Sequence, residues 1–246
     1  MCRMFFQCSL TPFNVDYRLL KNFIKSCHWT YFRKYNVLGH HGLGWGFAYL
    51  PPHKDQLIIK RDITPIYRAD WKALTEIKTR FLLIHARKAY PWKKAFEDLH
   101  PIHIGQKYLM THNGTIKPSS FPSLADKELE TLKTRTSMDT RKYLCSLIDY
   151  LKQGYRLKDA LELLFSKIDI ALGANAFIFN STEMNIVNYH NSTFNGRHTT
   201  LFLARMKDTI VSATTPLTEE FMEIPNKSVV RIPVDSLQID AFNLQA

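Results

Sequence analysis

The second residue of the chain is cysteine, and removal of Met1, usual before a small residue, gives that cysteine a free α-amino group. One residue then supplies a nucleophile and a base. A thiol with an ordinary pKa of about 8.5 is mostly protonated at neutral pH, whereas an α-amino group near about 8 is partly free base and can take the thiol proton, directly or through water. Taken alone, Cys2 also reads as a chance residue of an edge strand.

Three further groups fit acyl chemistry. Thr111-His112-Asn113-Gly114 follows a strand-like run. The Asn113 side-chain amide and the Gly114 backbone N–H would donate toward one point and form an oxyanion hole, each donor lowering the barrier by roughly 3 kcal/mol. The same Asn-Gly pair is also the strongest short signal for a turn, and this reading places it where the strand ends. Arg87 closes the apolar run FLLIHAR and offers a planar fork that can hold a carboxylate through two N–H groups; a surface salt bridge is the other reading. Asp139, in Thr136-Ser137-Met138-Asp139-Thr140, suits an ammonium group or a helix cap.

These residues need elements to hold them. The apolar opening MCRMFFQCS predicts a strand, and Leu19, Leu20, Phe23, Ile24 and Cys27 recur at helical spacing in a helix from Asp16 to about Lys34. Strands are predicted near Trp45–Leu50 and in QLIIKR, with Asp70 capping a helix whose inner face holds Trp71, Leu74 and Ile77. FLLIHAR and KYLMTHN read as strands around a long loop containing Pro91, Trp92 and Pro101. Two helices, Asp139–Gln153 and Leu157–Ile168, follow, and then strand after strand: NAFIFNS, MNIVNYH, TLFLARM, TIVSA and SVVRIPV. Strands, then helices, then strands predict stacked antiparallel sheets covered by helices, an α+β architecture, rather than an alternating parallel fold.

Composition narrows the classes. With 246 residues, 45% hydrophobic and 13% aromatic, the chain can bury a core and is not disordered. No stretch approaches the roughly 18 apolar residues of a membrane span. The expectation is a soluble, cytoplasmic protein with no membrane partner. The net charge of +11 arises in residues 1–124, which hold 19 basic and 7 acidic side chains (+12), while residues 125–246 hold 14 and 15 (−1). That charge could attract an anion, but it is scattered, in pairs such as Lys93-Lys94, and reads as a solvated surface without a nucleic-acid motif. Cys2, Cys8, Cys27 and Cys145 are too few and too far apart for a disulfide framework or a zinc site; all but Cys2 are expected to be buried.

In order along the chain, these motifs resemble the stand-alone class II glutamine amidotransferases and their relatives that cleave γ-glutamyl bonds. The resemblance is carried by Met1-Cys2-Arg3, Gly42-Leu43-Gly44-Trp45-Gly46-Phe47-Ala48-Tyr49, Ile63-Thr64-Pro65-Ile66-Tyr67 and His85-Ala86-Arg87-Lys88. It continues through His100-Pro101, His112-Asn113-Gly114, Ser137-Met138-Asp139-Thr140 and Ser212-Ala213-Thr214-Thr215-Pro216-Leu217. It covers nearly the whole chain and implies one domain over residues 1–246 with the four-layer αββα sandwich of N-terminal-nucleophile hydrolases. It also implies Cys2 as nucleophile, Asn113 and Gly114 as oxyanion hole, Arg87 as carboxylate clamp and Asp139 as partner of the substrate's amino group. His100 is implied in a loop closing over glutamine.

The chain departs from the family at Asp98-Leu99, where an asparagine or small polar residue commonly precedes the histidine-proline pair. Further departures are Ala89-Tyr90-Pro91-Trp92, in place of Thr, Ser or Gly, and Arg141, in place of an acidic residue. The implied reaction is attack on a γ-glutamyl amide, a thioester on Cys2, and release of ammonia or an amine. With nucleophile, base and oxyanion donors all supplied by the chain, no metal or other cofactor is required. Glutamine amide hydrolysis, with a separate synthase subunit using the ammonia, is the first expectation. A stand-alone γ-glutamyl conjugate hydrolase and a catalytically silent binding protein are the alternatives.

Overall fold

The computed structural model describes residues 2–28, 40–52, 54, 56–88, 95–191 and 200–245. Strand β1 (Arg3–Asn14) leads into helix α1 (Tyr17–Cys27), β2 (Trp45–Tyr49), β3 (Ile58–Asp62) and β4 (Lys78–Ala86). After β5 (Ile102–Ile104) and β6 (Tyr108–Ile116) come three helices: α2 (Lys127–Thr134), α3 (Asp139–Lys152) and α4 (Leu157–Phe165). The chain then returns to strands: β7 (Ile170–Phe179), β8 (Glu183–Asn188), β9 (Phe202–Met206), β10 (Thr209–Ala213), β11 (Met222–Glu223), β12 (Ser228–Pro233) and β13 (Asp240–Asn243). They form a seven-stranded sheet ordered β11-β9-β10-β1-β4-β2-β3 and a six-stranded sheet ordered β13-β12-β8-β7-β6-β5. Every pairing is antiparallel.

Alternation along the strands assigns each face. In β1, Phe5 turns outward onto Leu19, Leu20, Phe23 and Ile24 of α1, while Met4, Phe6 and Cys8 turn inward. Their partners across the gap are Leu109 of β6 and Phe177 and Phe179 of β7. The other face of the second sheet, with Met110, Ala176, Ile178 and Val187, takes Leu144, Leu147 and Ile148 of α3 and Leu161 and Leu164 of α4. Three apolar seams therefore separate four layers, α1, sheet, sheet and helices, and each fully buried Leu, Ile or Phe contributes about 1.5–3 kcal/mol. This is the α+β, four-layer arrangement expected.

Local departures have physical reasons. The helix from Asp16 is capped as expected, Asp16 Oδ1 accepting from Arg18 and Leu19 N–H. The part beyond residue 28 lies outside the described residues, as do Met1, residues 89–94 and the Lys93-Lys94 pair. Trp71–Glu76 is a 3-10 helix without a cap bond from Asp70, because the segment enters β4 after six residues. Asn113-Gly114 is no turn: β6 runs on to Ile116. Helix α2 was not legible, since only Leu129 and Lys133 of its eight residues are buried and its apolar stripe is short.

Candidate active site

Strands β1 and β4 run antiparallel, with Arg3 opposite Ala86, so Cys2 meets the chain just past the end of β4. Its Sγ lies 3.3 Å from the Lys88 carbonyl and 3.5 Å from the Lys88 N–H. Cys2 is partly exposed, whereas Cys8, Cys27 and Cys145 are buried, as expected. Burial pushes Cys8 and Cys27 up to about 12 and Cys145 to about 11, which leaves those thiols protonated and inert at neutral pH. Arg87 is fixed beside Cys2 by its backbone: its N–H donates to Gly44 at 2.9 Å and its carbonyl accepts from Leu43 at 3.3 Å. Its guanidinium is already paired, Nη2 lying 2.7 Å from Asp98 Oδ2.

The second sheet brings Asn113 and Gly114. Leu109 faces the other sheet and Met110 faces the helices, so alternation turns Asn113 toward the inter-sheet seam. There Asn113 is 1% exposed, and among the described residues neither its side-chain oxygen nor its nitrogen has a hydrogen-bond partner. A buried amide left unsatisfied costs about 1–3 kcal/mol, so both atoms are open to a further partner.

Gly114 stands opposite Ala174, and Ala174 donates its own N–H to Tyr189 on the far side of β7. In an antiparallel ladder that makes Ala174 and Gly114 a non-bonded pair. The Gly114 N–H thus points away from β7, to the side of β6 left open once β5 has ended at Ile102. The side chain must be absent here, because a Cβ would sit 1.7 Å from the Gly173 carbonyl oxygen.

Asp139 opens α3. Its Oδ2 accepts from the Ile116 N–H at 3.1 Å and its Oδ1 from the Thr140 N–H at 2.7 Å, so the carboxylate pins the helix start to the end of β6. It is the first helical residue rather than the cap, which is Met138, and its side chain keeps 23% exposure.

His100 lies deeper than a covering loop: it is 6% exposed, stacked on His85 with ring centroids 4.1 Å apart. Its Nε2 is 2.9 Å from Thr140 Oγ1, which is also 3.0 Å from His112 Nδ1. The carbonyls set the proton positions. His112 Nε2–H donates to Gly173 O at 3.3 Å, while Thr140 Oγ1 stands between His112 Nδ1 and His100 Nε2 and also reaches Asp139 Oδ1 at 3.3 Å. His85 Nε2–H donates to His112 O at 3.3 Å and joins the two sheets directly behind Asn113.

His85, His112 and Thr140 stood inside recognised motifs without a role; their partners lie 27 to 61 residues away, where no local pattern shows them. Among the described residues no group of three His, Cys, Asp or Glu side chains is placed to hold a metal.

Burial pushes His85 down to about 3 and His100 well below its ordinary value, and both rings stay neutral at neutral pH. A histidine near 6.5 when unfolded and near 3 when folded makes the unfolded state bind the extra proton between those values. Stability is thus fully present above pH 6.5 and falls as pH drops toward 3. For His85 alone the loss at pH 5 is about 2 kcal/mol, and His100 adds to it in the same direction. Denaturant unfolding at pH 7 and pH 5 is expected to show this loss, and His85→Gln to flatten it.

The comparisons with known proteins agree with this geometry at the level of the fold. The glutamine phosphoribosylpyrophosphate amidotransferase of B. subtilis, solved with ADP and GMP, superposes with a TM-score of 0.64 at 16% identity, over 98% of this chain and 49% of that one. The present chain therefore spans about half that protein's length. A glutamine aminotransferase class-II domain protein from Silicibacter pomeroyi gives 0.66 at 14% identity over 100% of both chains. A predicted glutamine amidotransferase from Pseudomonas aeruginosa PA01 gives 0.57 at 14%, over 97% of this chain and 99% of that one. These define the class of fold, an α+β sandwich of the N-terminal-nucleophile hydrolase type. Residues 19–193 match the family described as glutamine amidotransferases class-II, and the chain belongs to that family. No curated protein matches the sequence. Among the described residues no helix is long and apolar enough to cross a membrane.

Proposed function

We propose that the protein hydrolyses the side-chain amide of a γ-glutamyl compound, glutamine first, through a thioester on Cys2. The observation that carries this reading is the buried Asn113 amide, without a partner among the described residues, next to a Gly114 N–H that points to the side of β6 left open beyond β5. With Met1 removed, the Cys2 amine takes the thiol proton while Sγ bonds to the amide carbon. The carbonyl oxygen becomes an anion held by Asn113 Nδ2–H and Gly114 N–H. Its collapse breaks the C–N bond, the ammonium group returns the proton to the departing nitrogen, and water then cleaves the thioester to glutamate. Arg87 holds the α-carboxylate and Asp139 the α-ammonium group. His100 supports the site from behind through Thr140. A separate synthase would receive the ammonia.

The test is release of ammonia from L-glutamine and of amines from a panel of γ-glutamyl conjugates by the processed protein. Release from glutamine supports a glutaminase; cleavage of conjugates alone makes the protein a γ-glutamyl hydrolase, and no turnover at all sinks both. In Asn113→Ala, kcat is expected to fall by about 10²–10³ with little change in KM, the cost of one oxyanion donor. Among the described residues that amide has no partner to lose, and relief of its burial offsets the small cavity, so any change in thermal stability is expected to be small.

A further inference from the structure

The pairing of Arg87 with Asp98 is unlike an ordinary surface bridge. The Arg87 side chain is 12% exposed and its backbone is tied to Leu43 and Gly44, whereas Asp98 is 36% exposed and ends the short 3-10 turn Phe96–Asp98. Among the described residues the Asp98 carboxylate bonds only to Arg87. A buried guanidinium needs a counter-anion at all times, but nothing in this geometry requires that anion to be part of the chain.

The atoms involved sharpen the point. A carboxylate bound side-on to arginine uses Nε–H and Nη2–H together. Asp98 holds Nη2 at 2.7 Å, while Nε is buried and without a partner among the described residues. Among the described residues, Asp98 thus meets the guanidinium through a single oxygen and leaves Nε–H unpaired. A ligand carboxylate seated on Nε–H and Nη2–H would bring a second anion against Asp98 at one guanidinium; like charges repel there, and Asp98, already partly in water, can leave without stranding the arginine.

We infer that Asp98 is a placeholder for the substrate's α-carboxylate, exchanged for it on binding and so setting the affinity and selectivity of the site. The inference rests on the proposed reading of Arg87 as the carboxylate clamp. It makes the competition specific to ligands that carry an α-carboxylate: glutamine must evict Asp98, whereas 4-aminobutanamide, the same molecule without that carboxylate, need not.

The experiment is steady-state kinetics of the processed full chain and its Asp98→Asn variant with L-glutamine and with 4-aminobutanamide, the latter also read as a competitive inhibitor. Asparagine keeps the size of the side chain and removes its charge. The expected result is a KM for glutamine about tenfold lower in Asp98→Asn, with kcat and the constant for 4-aminobutanamide unchanged within about twofold. A KM for glutamine that rises would show Asp98 to be a fixed support of Arg87 and overturn the placeholder. So would an unchanged KM, or equal shifts for both ligands. Those outcomes leave the hydrolase reading standing; an absence of Cys2-dependent turnover in the wild-type protein removes that reading and the placeholder with it.

Discussion

Cys2→Ala is expected to lower ammonia release from glutamine by about 10⁴-fold or more, to the level of a blank reaction, while the protein remains folded. The size of the effect follows from what the residue provides. The thiol is the only one of four that is partly exposed; burial holds the other three protonated. No neighbouring thiol can take its place. Alanine keeps the backbone in place beside Lys88 and removes the sulfur that lies 3.3 Å from its carbonyl. The side chain packs no core, so unfolding by denaturant is expected to match the wild type. Turnover that survives in Cys2→Ala would move the nucleophile elsewhere and end the proposed chemistry.

Gly114→Ala is expected to destabilise the fold by more than about 4 kcal/mol, a large part of the roughly 5–15 kcal/mol that holds a domain together. The added methyl would stand 1.7 Å from the Gly173 oxygen, 2.4 Å from its carbon and 2.8 Å from His112 Nε2. The first two atoms are backbone of β7, an interior strand between β6 and β8, so relief requires opening the β6–β7 ladder. The same shift would break the bond from His112 to Gly173 and turn away the Gly114 N–H, the proposed oxyanion donor. Gly173→Ala is the comparison: its nearest contact would be 3.1 Å, from Tyr189 O, and a smaller loss is expected. Denaturation of the two variants should rank them in that order; a Gly114→Ala protein of normal stability would show the strand crossing to be looser than described.

How far the sequence carried this picture depended on distance along the chain. Elements whose apolar period runs five residues or more, such as β1, β4, β6, α3 and β7, were readable, because each buries one face against a continuous seam. Strands β5, β11 and β13, with two to four residues, carry no period to read and exist because a longer neighbour offers its edge. Asn113-Gly114 shows the limit of local rules. Its turn chemistry is strong, yet β7 pairs with β6 beyond it, and the glycine serves a close approach from Gly173 instead of a bend. At the site, residue types suggested candidates for a nucleophile, two donors, a carboxylate clamp and an ammonium partner. What they could not show was that Asp98 pairs with Arg87, or that Thr140 lies between His100 and His112, since such pairs are made only by the fold.

The first few residues of a chain usually fray, loosely held and exchanging with solvent. Here β1 lies fourth among seven strands and is bonded on both sides, to β4 from Arg3 and to β10 from Phe5. The proposed nucleophile is thereby attached directly to an interior strand, and it takes its position from the whole sheet rather than from a local clasp. Heat that displaces the start of β1 must open the sheet, so loss of the proposed activity and unfolding are expected to coincide.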